Sequence, residues 1–302
     1  MSKFDLVSSF KYKQSSKKKL SSAETIGRNT LLNIQLHFQE HVRESYLDIF
    51  CGDVKDYVNL LRDNSIHLVV TSPPYNCNIR YDNYYDNKEI TEYQEWLTEI
   101  FAKINPKIVS GGRVAVNFPL LIKYEGKRIL LTSVFENVLK RAGFEVIDYV
   151  VWIKAKNEKE AISVAGRSTA WGSWLSPVSP HIRPITEFIL IAKKEGKYKK
   201  QNSTNITADE FKTFTTSAWF IPPVSDKKHP APFPVELPKR LIKLFTYKHE
   251  NVLDPFMGVG NTAIAAVETG RNFYGCDISS NYIKESIKRL KRMMIKNASF
   301  QF

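Results

Sequence analysis

The sequence has few cysteines, few histidines, a shortage of acid, and no long apolar run. Cys51, Cys77 and Cys276 are its only cysteines, and they stand far apart. No C-x-x-C pair exists, so neither a disulfide framework nor a cysteine zinc site is on offer. Reduced thiols of a cytoplasmic protein are expected. The longest apolar stretches, such as "YVVWI" and "FILIA", are strand-sized. Spanning a bilayer as a helix takes roughly 20 apolar residues. The lysines near the N-terminus are followed by no apolar segment, so no secretory signal is read there. No internal repeat is present.

What the chain does have is basic charge and core-forming material. Of 302 residues, 44 are Lys or Arg and 31 are Asp or Glu, a net charge of +13. That balance points to a polyanionic partner. Hydrophobic residues make up 43%, enough for a proper core. Residues 1–45 read as a basic N-terminal extension. Its first thirty residues are Ser- and Lys-rich, with seven basic residues against two acidic ones. A phosphate-contacting arm and a solvated tail are both open there.

From about Leu47, strands alternate with helices. "LDIFCGD" and "IHLVVT" read as strands, and "VKDYVNLLRD" as a helix. "TEYQEWLTEIFAKIN" places Trp96, Leu97, Ile100, Phe101 and Ile104 on one helical face. A strand at "GGRVAVNF", a helix over 128–141 and strands at "FEVIDYVVWIK" and "ITEFILIAKK" follow. After them come a helix at "VELPKRLIKLFT", a strand at "ENVLD", a helix at "NTAIAAVETG", a strand at "RNFYGCD" and a last amphipathic helix. This rhythm predicts an α/β fold, a doubly wound and mostly parallel sheet covered by helices. Two stretches interrupt it, residues 155–184 and 194–228. Both read as loop-like insertions into a domain covering 46–302.

Two short strings carry chemistry. "NVLDPFMGVGNTA" joins a strand to a helix through Gly258-Val259-Gly260-Asn261-Thr262-Ala263, the G-x-G-x-x-A pattern of a nucleotide-binding turn. The next strand ends at Asp277, seventeen residues past Gly260, where a carboxylate can accept from ribose hydroxyls. This unit comes late in the chain, so the remaining strands must come from earlier. The expected topology is therefore circularly permuted, with Gly52-Asp53, "TSPPY" and "DPFMGVG" sharing one crevice. "TSPPYN" (71–76) ends a strand with two prolines, which remove N–H donors and leave carbonyls, a hydroxyl and an aromatic ring. Such a set suits a planar ligand with an amino group. Ser72 and the Pro73 carbonyl can take the amine, and Tyr75 can stack on the ring, as flipped nucleobases are held. Ser72 can either accept from the amine or donate to the ring nitrogen beside it. Nothing marks Cys77 as activated, and it reads as packing.

"TSPPY", "DPFMGVGNTA" and "HPAPFP" (229–234), in that order, resemble an amino-group DNA methyltransferase that uses S-adenosylmethionine, of the β subgroup. The resemblance covers roughly 46–302. It implies a Rossmann-like methyltransferase sheet with Ser72, Pro73, Pro74 and Tyr75 holding the target amine. It implies cofactor contacts from Asp254, Pro255, Phe256, Gly258, Gly260, Asn261 and Thr262, and from Asp277 and Ile278. Asp53 falls near the adenine and Phe233 near the methionine end. The two insertions fall where target recognition is expected. Double-stranded DNA is the expected substrate, a restriction endonuclease acting on the same site the expected companion, and the nucleoid the expected location. No metal is expected. "SPPY" is the usual form in cytosine-N4 enzymes and "DPPY" the commoner form in adenine-N6 enzymes, so N4 of cytosine is expected, with adenine N6 as the alternative. A nucleotide-dependent oxidoreductase explains neither "TSPPY" nor the charge. A non-catalytic DNA-binding module leaves Ser72, Tyr75 and Asp277 without a purpose.

Overall fold

A computed structural model describes residues 30–38, 43–166, 172–201, 204–224 and 232–299. One sheet of nine strands organises it. The strands are β1 (Thr30–Phe38), β2 (Arg43–Cys51), β3 (Ile66–Thr71), β4 (Ile108–Phe118) and β5 (Phe144–Ile153). They continue with β6 (Thr186–Lys194), β7 (Ala218–Phe220), β8 (Asn251–Asp254) and β9 (Asn272–Asp277). Their spatial order is β1-β2-β9-β8-β3-β4-β6-β5-β7. The run from β2 to β4 is parallel throughout. β6 then pairs antiparallel with both β4 and β5, and β7 runs parallel to β5. The strand that carries the glycine loop, β8, thus lies mid-sheet beside β3.

Both faces are covered, as near-continuous apolar strands require. In β3, Leu68 and Val70 pack on one side and Ile66 and Val69 on the other. The first side takes α6 (Glu236–Phe245), α7 (Asn261–Thr269) and α8 (Ser280–Ser299). The second takes α1 (Val54–Leu60), α2 (Ile90–Ile104) and α3 (Leu131–Arg141).

Several expectations need correction. The sheet begins upstream of residue 46: β1 pairs antiparallel with β2 along its whole length. Residues 1–29, with most of the basic arm, lie outside the described residues. The helix expected from 128 starts at Leu131. Lys127–Leu130 instead pairs with Leu121–Tyr124 in a hairpin. Glu125 (φ 47°) and Gly126 (φ 78°) are both left-handed, as a two-residue primed turn demands.

The insertions are not plain loops. The first holds α4 (Glu158–Gly166). The second holds α5 (Ala208–Phe214), whose Thr207 and Glu210 form a reciprocal cap, and β7. Phe214, Trp219 and Ile221 are buried in the main core, so this segment is part of the sheet's own covering. Arg271, fully buried, ties it down by donating to Asn205 Oδ1, the Thr269 carbonyl, and the Thr246 hydroxyl and carbonyl. Burial pulls that guanidinium down to about 10.

Candidate active site

The parallel strands all deliver their carboxyl ends to one edge, where a doubly wound sheet opens its ligand crevice. There Gly52-Asp53 follows β2, the "SPPY" segment follows β3, the glycine loop follows β8, and Asp277 ends β9. The Gly52 amide donates to the Asp277 carbonyl at 3.0 Å, and the Met257 amide to the Cys276 carbonyl at 3.0 Å. A cleft forms between these ends, about 1080 Å³ with its mouth included. Ser72, Pro74, Tyr75, Asp53, Phe233, Pro255, Phe256, Gly258, Asn261, Asp277 and Ile278 all line it.

Four residues expected at the site do not. Pro73 is buried behind the cleft. Asp254 and Thr262 hold each other, through a 2.6 Å bond from the threonine hydroxyl. The other Asp254 oxygen accepts from Thr71 Oγ1 at 2.8 Å and from the Phe256 amide at 3.1 Å. Burial pushes this carboxyl up to about 6. It is a bolt between β3, β8 and α7. Gly260 is needed for packing: a Cβ there would lie 2.1 Å from Ser286 Oγ of α8, and its φ is +82°.

Asp277 faces the cleft as expected. Its carboxylate accepts from the Gly258 amide at 2.9 Å and the Ser279 amide at 2.8 Å, which fixes the glycine loop against the end of β9. Burial pushes it up to about 7 despite both donors. Asp53 caps α1, accepting from the Lys55 amide at 2.7 Å, and stands exposed at the rim. Asn261 donates to the Phe233 carbonyl, and its Oδ1 is buried with no partner. His229, Pro230 and Ala231 of "HPAPFP" lie outside the described residues.

The sequence reading missed the roof of the cleft. Residues 76–87 leave "SPPY" and fold back as a hairpin, Ile79–Arg80 against Tyr85–Asp86. Asp86 is fully buried and accepts from the Asn76 and Cys77 amides, at 2.8 and 3.0 Å. The hairpin tip reaches the start of α8, where Ser279 Oγ, just before the helix, donates to Asp82 at 2.6 Å and Asn281 to the same oxygen at 3.0 Å. Tyr84 stacks on Trp96 at 6.0 Å, and Trp96 meets Phe256 at 5.7 Å. Trp96, half-buried against the core that holds Leu97 and Ile100, also lines the cleft. The Tyr84 hydroxyl is buried without a partner. Cys77 is inert as read, its thiol pushed up to about 12 by burial.

The polar set fits an aminoacyl nucleoside carrying positive charge. The Asp277 carboxylate suits ribose hydroxyls, the orphaned Asn261 Oδ1 suits an ammonium, and the Trp96–Phe256–Tyr84 rings suit a flat heterocycle. S-adenosylmethionine combines these groups, and when bound it supplies an electrophilic methyl on a sulfonium.

Comparison with known proteins agrees. Residues 66–288 match the model of a DNA methylase family, that of the N6 and N4 methyltransferases. The chain belongs to this family and is an S-adenosylmethionine-dependent DNA amino-methyltransferase. It is 27% identical over 259 residues to the Type II methyltransferase M.BglII of Bacillus subtilis, covering 83% of this chain and 71% of the relative. It is 29% identical over 277 residues to M.MjaI of Methanocaldococcus jannaschii, covering 77% and 87%. Among solved structures, a candidate DNA modification methylase of Thermus thermophilus complexed with S-adenosyl-L-methionine superposes with a TM-score of 0.64. That match has 25% identity and covers 81% of this chain and 93% of the other. The cytosine-N4-specific PvuII methyltransferase shares the fold, with a TM-score of 0.60 at 19% identity over 80% of this chain and 85% of the other. Among the described residues no helix is long and apolar enough to cross a membrane, and no acidic, histidine or cysteine group could hold a metal.

Proposed function

We propose that this chain methylates N4 of a cytosine flipped out of double-stranded DNA, at a specific sequence. The observation that carries the reading is the opening of Ser72, Tyr75, the glycine loop and Asp277 into one cleft. The work of these residues is placement. Holding amine and methyl donor in line supplies effective molarity worth about 7–11 kcal/mol of barrier. The amine attacks with its own lone pair, and the methylated product sheds its proton afterwards, so a strong general base is not required. Pro74 lines the cleft, its carbonyl fixed by the Tyr93 hydroxyl at 2.7 Å, and offers the base a rigid wall. The Ser72 hydroxyl can donate to cytosine N3 or to adenine N1, where a carboxylate only accepts, so the choice of cytosine rests on the "SPPY" form, the usual one in cytosine-N4 enzymes.

Target reading falls to residues 172–184. They connect β5 to β6 at the same sheet edge as "SPPY", and expose Trp174, Leu175, Val178 and Ile182. In the second insertion Phe214, Trp219 and Ile221 are committed to the core. Likeness to Type II methyltransferases supports pairing with a restriction endonuclease that cuts the same site, and a place on the nucleoid. Digesting DNA methylated by the purified protein and separating the nucleosides by mass tests the proposal. N4-methylcytosine is expected. N6-methyladenine alone would overturn the cytosine assignment in favour of the adenine reading.

A further inference from the structure

The hydroxyl pair of Ser72 and Tyr75 does not end at the cleft. Behind it, Asn117 Nδ2, on β4, donates to the Tyr75 hydroxyl at 3.0 Å and to Glu187 Oε2, on β6, at 2.6 Å. Lys154, just past β5, donates to the other Glu187 oxygen. Asn117 and Tyr75 are buried, so water does not offer alternatives. The direction of every bond then follows. Lysine only donates and a carboxylate only accepts. Turning the Asn117 amide over would set its carbonyl against the Glu187 carboxylate, two acceptors at hydrogen-bond distance. The amide nitrogen is therefore held there, even though Asn117 Oδ1 is left buried without a partner. Its second hydrogen goes to Tyr75. The Tyr75 oxygen then receives from Asn117, and the bond to Ser72 Oγ, which either hydroxyl could donate by position alone, is assigned to the phenol hydrogen on that ground. Burial holds the phenol well above its ordinary pKa, so that hydrogen stays in place.

We propose that Lys154, Glu187 and Asn117 are positioning residues forming a one-way hydrogen-bond chain that fixes Ser72 as a donor toward the ring nitrogen beside the target amine. The chain moves no proton. It sets which way one hydroxyl points, and so which ring edge the pocket accepts. A base with a protonated ring nitrogen, such as the N1–H of guanine or the N3–H of thymine, meets the Ser72 hydrogen head-on and is refused. The inference rests on Ser72 and Tyr75 holding the base, and applies to either amine.

Glu187→Gln tests it with almost no change in shape. Beside Lys154 the new amide turns its oxygen to the ammonium and its NH2 to residue 117. Asn117 then turns over to accept, Tyr75 donates to Asn117, and Ser72 donates to Tyr75. The polarity is reversed from end to end. Single-turnover transfer is measured on the mapped target duplex and on one whose target base carries C–H in place of the ring nitrogen, 3-deazacytosine or 1-deazaadenine as the product dictates. The parent protein should lose roughly tenfold more on the deaza duplex than Glu187→Gln does, the equivalent of one hydrogen bond. Because the two proteins are compared on the same pair of substrates, altered amine basicity cancels. Glu187→Asp should restore the parent's penalty. Asn117→Leu, which cuts the chain, should behave like Glu187→Gln and serves if that variant does not fold. Cofactor affinity by calorimetry should match the parent in each. An equal deaza penalty in parent and variants overturns the chain. A product other than N4-methylcytosine overturns only the choice of base.

Discussion

Thr71 Oγ1 donates to Asp254 Oδ1 across 2.8 Å, joining residues 183 positions apart in sequence. Thr71 immediately precedes the motif proposed to hold the base, and Asp254 immediately precedes the glycine loop. One buried carboxylate thereby sets the distance between the two strand ends that carry the proposed donor and acceptor sites. Thr71→Val keeps the shape and removes the donor. It should cost about 1–3 kcal/mol of stability, since a buried acceptor loses a partner, and transfer should fall more than cofactor affinity does. Thermal unfolding and single-turnover rates check this; an unchanged midpoint would contradict the bolt.

The parts of this site that were legible in sequence are those that one strand end carries in a single string. "TSPPY", "DPFMGVG" and Asp277 each follow an apolar strand, and the parallel rhythm sends such ends to one edge. The chain behind Tyr75 was invisible because Asn117 and Glu187 come from two strands, Lys154 follows the end of a third, and all three look like ordinary residues of a sheet. The second role of Trp96 was missed because helical spacing cannot tell a ring that only packs on the core from one that also lines a cleft. Strand β7 was missed because its three residues in a polar segment leave no period to read. Asp254 and Thr262 lie within the cofactor string, and only their geometry reveals that they hold each other.

Trp96 should report on the cofactor. It lies between Tyr84 and Phe256 on the cleft wall, while Trp152 and Trp219 are buried in the core. S-adenosylmethionine should change the intrinsic tryptophan emission. Trp96→Phe should remove that change while keeping most of the affinity, and Trp96→Ala should weaken binding by about 0.5–1.5 kcal/mol beyond the area lost. Titration followed by fluorescence and by calorimetry separates the two. A full emission response in Trp96→Phe would place the cofactor elsewhere.

Asp277 gives cofactor binding a pH dependence of predictable sign. Burial raises its carboxyl to about 7, so the free protein at pH 6 carries it mostly protonated. Ribose hydroxyls donate to the ionised form and stabilise it. Affinity should therefore rise as pH climbs through 7, with proton uptake by the buffer, and should fall up to about tenfold for each unit below. Asp277→Asn should bind weakly and without this slope. Calorimetry in buffers of different ionisation enthalpy between pH 6 and pH 8 measures both. A flat profile in the parent would mean that the carboxylate is ionised throughout.

The loop between β5 and β6 offers the sharpest test of DNA contact. Leu175 is 88% exposed and sits at φ 52°, a conformation that costs a branched side chain energy. Neither feature helps the free protein. The loop is nonetheless tightly built: the Ser173 amide donates to the Ser179 carbonyl at 2.9 Å, and the Ser179 amide to Ser173 Oγ at 2.7 Å. Gly172 accommodates the crossing, since a Cβ there would fall 2.2 Å from the Ser179 carbonyl oxygen. A rigid loop that presents apolar side chains at the site's edge is suited to fill the stack that a flipped base vacates. Leu175→Gly relieves the backbone and removes the side chain, so stability should hold or rise while affinity for target DNA falls. Trp174→Ala should lower that affinity by about 1–3 kcal/mol, the scale of an aromatic stacked on a base. Because these contacts release no counterions, the slope of log affinity against log salt should stay unchanged in both variants. Binding at parental strength in Leu175→Gly and Trp174→Ala would remove the loop from the DNA interface.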